Sequence, residues 1–260
     1  MLMLRSISRI GELDRGHPFD LPLVKEMETI ELESPVTFLV GENGAGKSTL
    51  LESVAIAAQS ITAGGTDLET DPTLESSRRL ADCLRLSWSR RTKRGFFMRA
   101  EDFFGFTKRI TQTRLDLQEM NKEFEEEFEG HARDLATGVT KGQSRALARY
   151  GMLETSSHGE GFLHFFKERF VPGGFYLMDE PEAALSPQRQ LAFLAMIKEM
   201  VEEGSQFIIA THSPIIMALP DSTIYSLDTV PPAVIKWKDT DHVQLTRDFL
   251  AAPERYLKHL

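Results

Sequence analysis

Cysteine is almost missing: Cys83 stands alone among 260 residues, which excludes a disulfide within the chain. Long apolar runs are missing too. None approaches the ~20 residues that a membrane-spanning helix needs, and the opening MLMLRSISRI is broken by Arg5 and Arg9 too soon for a secretory h-region. A cytoplasmic location is therefore expected. There is no repeat of 20–50 residues and no heptad array. Basic residues are in deficit, 30 Lys and Arg against 39 Asp and Glu, so the net charge of −9 argues against indiscriminate binding to nucleic acid. That deficit is uneven. Residues 85–114 carry nine bases (Arg85, Arg90, Arg91, Lys93, Arg94, Arg99, Lys108, Arg109, Arg114) against only Glu101 and Asp102. The island reads either as a phosphate-facing patch or as a solvated hairpin and helix face paired with the acidic run EFEEEFEG.

What is present is enough apolar residue, 41% of the chain, to bury a large core, as one large domain or a core with an inserted lobe. SPVTFLVGENGAGKSTLLESVAIAAQS reads as a buried strand at Val36–Val40, a glycine-rich turn and a helix with Leu50, Leu51, Val54, Ala55 and Ala58 on one face. CLRLSWSRR and RGFFMRAED read as two strands joined by the basic turn TKRG. A helical pattern runs from about Phe103 to Tyr150. GGFYLMDE and SQFIIATHSP then read as buried strands flanking the amphipathic helix PQRQLAFLAMIKEMVEEG, which Gly204 ends. STIYSLD and PAVIKWKD form a last strand pair before a helical tail. Strand and helix in alternation imply an α/β fold with a mainly parallel sheet, an antiparallel β portion and an inserted helical lobe. The expected organisation is one domain over 1–260 with the lobe at 103–170.

GENGAGKS fits G-x-x-x-x-G-K-[ST], and it follows a strand and opens a helix, the context in which the motif cradles phosphate. Gly41, Glu42, Asn43, Gly44, Ala45 and Gly46 would curl so that successive N–H groups face phosphate oxygens, with the helix N-terminus adding partial positive charge. Lys47 would reach the β- and γ-phosphates, Ser48 would ligate Mg²⁺, and Thr49 would complete the cradle. A tight turn alone would explain the glycines but not Lys followed by Ser.

In FYLMDEPEAALS the apolar run delivers Asp179 and Glu180 to a strand's C-terminal edge, where ligands of open α/β sheets bind. Asp179 would hold Mg²⁺, and Glu180 would orient or deprotonate attacking water. His212 in FIIATHSP ends another strand on the same edge, placed to hydrogen-bond a γ-phosphate, with Ser213 and Pro214 suited to begin a helix. The catalytic candidates are thus Glu180, Lys47 and His212.

These three motifs, in this order and with His212 33 residues after Asp179, resemble the ATP-binding-cassette superfamily. The closest likeness is to its soluble branch with the structural-maintenance-of-chromosomes and DNA-repair ATPases, and to short stand-alone bacterial ATPases. The resemblance implies ATP and Mg²⁺ as ligands, ATP hydrolysis, and a homodimer that sandwiches two nucleotides. In that superfamily a serine-glycine-glycine-glutamine signature completes the opposite subunit's site. Here SHGE supplies Ser157, His158, Gly159 and Glu160, so Ser157 and Gly159 would be the contacts. The superfamily's dimer-contacting aspartate is replaced by Ser186 in AALS. Its glutamine has no clear counterpart, Glu101 standing nearest the right point and Gln112 further off. Phe19 in GHPFD is the candidate to stack on adenine. Two alternatives stay open: the nucleotide-binding subunit of a membrane transporter, against which the altered signature counts, and a nucleotide-gated module that holds nucleic acid or an effector protein.

Overall fold

A computed structural model describes residues 2–12, 14–64, 67–127 and 158–258. Two sheets carry the architecture. The smaller is antiparallel, order β2-β1-β4, formed by β1 (Leu4–Arg9), β2 (Thr29–Glu31) and β4 (Leu84–Trp88). The larger has the order β5-β6-β7-β3-β8-β9, formed by β3 (Val36–Val40), β5 (Gly95–Arg99), β6 (Phe175–Asp179), β7 (Gln206–Ala210), β8 (Thr223–Ser226) and β9 (Ala233–Val234). All its pairings are parallel except β8 with β9. This is the mixed α/β arrangement that the alternating pattern implied.

The central strands are buried on both faces, and their side chains alternate between two cores. Leu39, Leu177 and Ile208 face one core, shared with α1 (Pro22–Glu26), α2 (Lys47–Ala57), α3 (Glu75–Ala81) and the small sheet. Phe38, Met178 and Ile209 face the other, covered by α4 (Ala100–Glu127), α5 (His158–Arg169) and α6 (Pro187–Glu202). Aromatic rings dominate this second core. Phe103 of α4 meets Phe162 of α5 edge-on at 4.6 Å, and Phe166 of α5 meets Phe193 of α6 at 4.8 Å. Each such fully buried ring contributes roughly 1.5–3 kcal/mol. The chain ends in α7 (Asp241–Ala251) and α8 (Glu254–Leu257).

A buried amide ties the two sheets together. Gln206, first residue of β7, accepts the Met3 and Leu4 N–H groups at 2.8 and 2.9 Å and donates to the Leu4 carbonyl at 2.9 Å. All three bonds satisfy a group that burial would otherwise penalise. The outer edge of β5 is also occupied: Phe97 donates to the Ile61 carbonyl, and Ala63 donates to the Phe97 carbonyl, both at 2.8 Å.

Two expectations need correction. The strands on either side of TKRG exist but do not form a hairpin. β4 pairs with β1 in the small sheet, whereas β5 pairs with β6 in the large one. Gly95 makes this crossing feasible, with φ at +105° and its backbone pressed so closely on Phe175 that a Cβ would sit 1.9 Å from the carbonyl oxygen. Replacing Gly95 with Ala should therefore destabilise the fold by about 2–4 kcal/mol. Chemical denaturation reads this as a lower midpoint at unchanged slope; a midpoint within error of the parent would refute the steric account. The final strand pair is shorter than expected. Pro231 and Pro232 have no N–H to offer a ladder, only Ala233–Val234 pairs, and the chain then turns through Trp237–Asp239.

Candidate functional site

The C-terminal ends of the parallel strands form one edge, and the phosphate loop, the acid pair and the segment bearing His212 leave the sheet there. Asp179 is in register with Arg99 on one side and with Ala210 on the other, and Leu39 also pairs with Ala210. From β3 the chain curls through Gly41–Gly46 into α2. Gly46 caps the helix in the left-handed region at φ +95°, where an added Cβ would press on Leu23. Lys47, the first helical residue, is buried and donates to the Gly41 and Glu42 carbonyls at 2.8 and 2.9 Å. Burial holds its ammonium below the usual lysine range, although Glu180, Asp179, Asp228 and Glu42 all pull the other way. The loop borders a depression of about 250 Å³ lined by Asn43, Gly44, Gly46, Lys47, Ser48, Thr49, Glu180, His17 and Leu21.

Asp179 is 7% exposed. Burial pushes its carboxyl up to about 7, with the Glu180 and Glu52 charges adding to the rise while the Ser48 hydroxyl's hydrogen bond and Lys47 oppose it. Its Oδ1 has no hydrogen-bond partner among the described residues. A desolvated carboxylate oxygen left open beside a helix-start serine is a donor set that suits a hard divalent cation. The residues present thus fit Mg²⁺, with Ser48 and Asp179 as the groups that would hold it.

Glu180 follows in the left-handed region, φ +49°, held there by its N–H bond to the Ala210 carbonyl at 2.9 Å. A non-glycine residue in this conformation carries strain, here at the point where the strand hands a carboxylate to the edge. Its Oε1 lies 3.5 Å from His212 Nε2. The His212 backbone N–H is bound by the half-buried Glu182 carboxylate at 2.7 Å, and Ser213 caps the turn that follows by accepting the Ile215 and Ile216 N–H groups at 3.2 and 3.1 Å. Burial, with Lys47 and His242 beside it, holds the His212 imidazole below the usual histidine range.

The structure therefore brings Lys47, Ser48, Asp179, Glu180 and His212 to one place. Ser157 lies outside the described residues. Gly159 lies in the first turn of α5, and Glu160 in the same turn pairs with Arg189 of α6 at 3.1 Å. Ser186 directly precedes α6. Other candidates sit elsewhere. Phe19 is 3% exposed, packed in the first core with the Arg79 guanidinium 5.0 Å over its ring, so it offers no face to a base; His17, two residues earlier, borders the depression instead. Glu101 is 76% exposed and lies 3.5 Å from Arg99. Gln112 bonds Asp116 on the outside of α4.

The basic island does not act as a unit. Arg99 is half-buried among Asp71, Asp102 and Glu52 at 2.8, 3.4 and 3.6 Å. Arg91 and Arg94 donate to the Ala58 and Pro172 carbonyls at 3.3 and 3.2 Å. Two site residues were not visible in the sequence. Asp228, just past β8, accepts the Glu42 N–H at 2.8 Å and so fixes the phosphate loop, and His242 of α7 lies 2.8 Å from His212. Neither has a local signal, since their partners are 186 and 30 residues away.

The chain is similar to several known proteins. The family described as "AAA ATPase domain" matches residues 69–217, more than half of the chain. The cytochrome c biogenesis ATP-binding export protein CcmA of Rhodopseudomonas palustris is 27% identical over 183 residues, covering 68% of this chain and 78% of that protein. Among solved structures, the Smc head domain from Pyrococcus furiosus bound to the C-terminal domain of ScpA is 12% identical, covers 97% of this chain and 99% of its own, and has a TM-score of 0.48. A nucleotide-free ATP-binding cassette from an ABC transporter is 15% identical, with coverages of 98% and 97% and a TM-score of 0.47. None of the helices among the described residues is long and apolar enough to cross a membrane. The chain belongs to the AAA ATPase domain family, and its three ordered motifs resemble those of the ATP-binding-cassette superfamily.

Proposed function

We propose that the protein hydrolyses ATP to ADP and phosphate, and that two copies clamp two nucleotides between them. The reading is carried by the meeting of Lys47, Ser48, Asp179, Glu180 and His212 on one sheet edge, with the phosphate loop fixed by Asp228. Backbone N–H groups of the loop and the α2 N-terminus hold the triphosphate, and Lys47 balances its charge. Mg²⁺ on Ser48 and Asp179 would neutralise charge on the β- and γ-phosphates. Glu180 accepts a proton as water attacks the γ-phosphorus in line and the bond to the β-phosphate oxygen breaks. His212 donates to the γ-phosphate, so loss of that group removes a contact next to Glu180. The partner copy supplies Ser157, and Gly159 from the first turn of α5. In this reading 1–260 is one domain, with 103–170 as the lobe that carries the signature.

The dimer is tested by light scattering behind size exclusion. A non-hydrolysable ATP analogue with Mg²⁺ should convert monomer to dimer, ADP should not, and replacing Ser157 with Arg should abolish the conversion while nucleotide binding to the isolated copy persists. A chain that stays monomeric with the analogue at saturation sinks the clamp.

A second reading is favoured by one observation, the likeness to an export protein of the ATP-binding type. It makes the chain a transporter's nucleotide-binding subunit with the same chemistry. Co-purification of a stoichiometric integral membrane protein separates the two. For the third reading, in which the dimer holds nucleic acid or an effector protein, the support is Arg90, Arg91, Lys93 and Arg94 on the loop between the sheets; charge reversal there should reduce the salt dependence of nucleic-acid binding.

A further inference from the structure

Two histidines from distant parts of the chain meet at the site. His212 Nδ1 lies 2.8 Å from His242 Nε2, the rings 74° apart with centroids at 4.7 Å. A contact of this length holds one proton: one ring donates and the other accepts. The opposite side of the His212 ring decides which. His212 Nε2 is buried, faces Glu180 Oε1 at 3.5 Å and has no hydrogen-bond partner among the described residues. A bare ring nitrogen there would set a lone pair against a carboxylate, whereas an N–H is attracted to it. A neutral His212 with its proton on Nε2 has only a lone pair at Nδ1, so His242 is the donor. Its helix is well fixed for this. Trp237 donates its indole N–H to the Pro214 carbonyl at 2.8 Å, Thr240 places its hydroxyl 3.5 Å from Met217 Sδ, and Val243 is buried in the second core. Trp237 and Thr240, just ahead of α7, thus tie its start to Pro214 and Met217.

We propose that His242 is a positioning residue of the ATP site, donating its Nε2–H to His212 Nδ1 and so fixing the tautomer in which His212 presents an N–H to the γ-phosphate. This assignment rests on the ATPase reading above. Partners that fix the tautomer of metal-bound histidines are worth about one to two orders of magnitude, and the lower end of that range is expected here. Without His242, the ring of His212 is free to carry its proton on Nδ1 and to turn an acceptor toward the phosphate.

The test uses the full chain. Nitrogen-15 NMR of labelled imidazoles, resonances assigned with His212→Gln, should show His212 protonated at Nε2 and unprotonated at Nδ1; the reverse tautomer overturns the proposal. His242→Phe keeps the ring's bulk without a donor and should lower kcat about tenfold with KM for ATP within about twofold. His242→Gln reaches the same point with an amide N–H and should restore kcat to within about threefold of the parent. Equal losses in both variants assign His242 to folding alone, and full activity in both removes any role; either outcome overturns the proposal. Absence of ATP hydrolysis from every form, the parent included, refutes the ATPase reading instead, and the NMR tautomer separates that failure from this one.

Discussion

Glu180→Gln should lower ATP turnover by about 10²–10⁴-fold, the usual worth of a positioned general base, while ATP binding is retained. The substitution is nearly isosteric, and what holds residue 180 in its left-handed conformation is backbone, the bond from its N–H to the Ala210 carbonyl. The phosphate loop, Lys47 and Ser48 are untouched. Single-turnover measurement should therefore place the loss in the chemical step. Equilibrium binding of a fluorescent ATP analogue should stay within about threefold, and the clamp should persist because the γ-phosphate is not released. Turnover within twofold of the parent would remove Glu180 from the mechanism, and a lost affinity would show that the carboxylate supports the fold of the site.

The second large effect concerns stability. Asp179 in the folded, cation-free protein titrates at about 7, against an ordinary aspartate value of about 3.9 in the unfolded chain. A carboxyl with a raised folded value keeps its proton in the native state over a range where the unfolded chain has released it. Native stability from this group therefore falls as pH rises from about 4 to about 7, and by pH 8 the ionised, buried carboxylate costs on the order of 4 kcal/mol. Asp179→Asn removes the charge. In chelator at pH 8 the variant should melt several degrees above the parent, a gain that shrinks towards zero at pH 4, while stabilisation by Mg²⁺ with ATP is lost. Calorimetry at the two pH values checks the sign. A pH-independent gain would assign the effect to packing, and no gain would refute the desolvation account. If Asp179 holds Mg²⁺ as proposed, the site would trade stability for the capacity to bind a cation.

Both residues were readable in the sequence because an apolar run ending in two acids is a local signal, as is a glycine turn closed by Lys47 and Ser48. The central strands and α6 were legible for the same reason. The misreadings share a cause in partners remote along the chain. TKRG marks a turn, but whether Leu84–Trp88 and Gly95–Arg99 pair across it depends on β1 and β6, which offer each strand another neighbour. In GHPFD, Phe19 was the aromatic to choose, yet Arg79 and the first core cover its ring, and His17 takes the place beside the loop. Arg99 looked like part of a basic surface until Asp71, supplied from outside the island, closed on it. His242 had only its place in the first turn of a tail helix to recommend it, and nothing in that turn points to His212.

The covered rim of β5 has a bearing on assembly. With the segment 61–63 already bonded along one margin of the large sheet and a two-residue strand closing the other, neither margin, among the described residues, offers a length of open main chain for another molecule to extend. If twin copies close over nucleotide as proposed, they would approach through turns and helix beginnings, where a phosphate can serve as mortar, and could part again once it leaves, as neighbours stitched strand to strand could not.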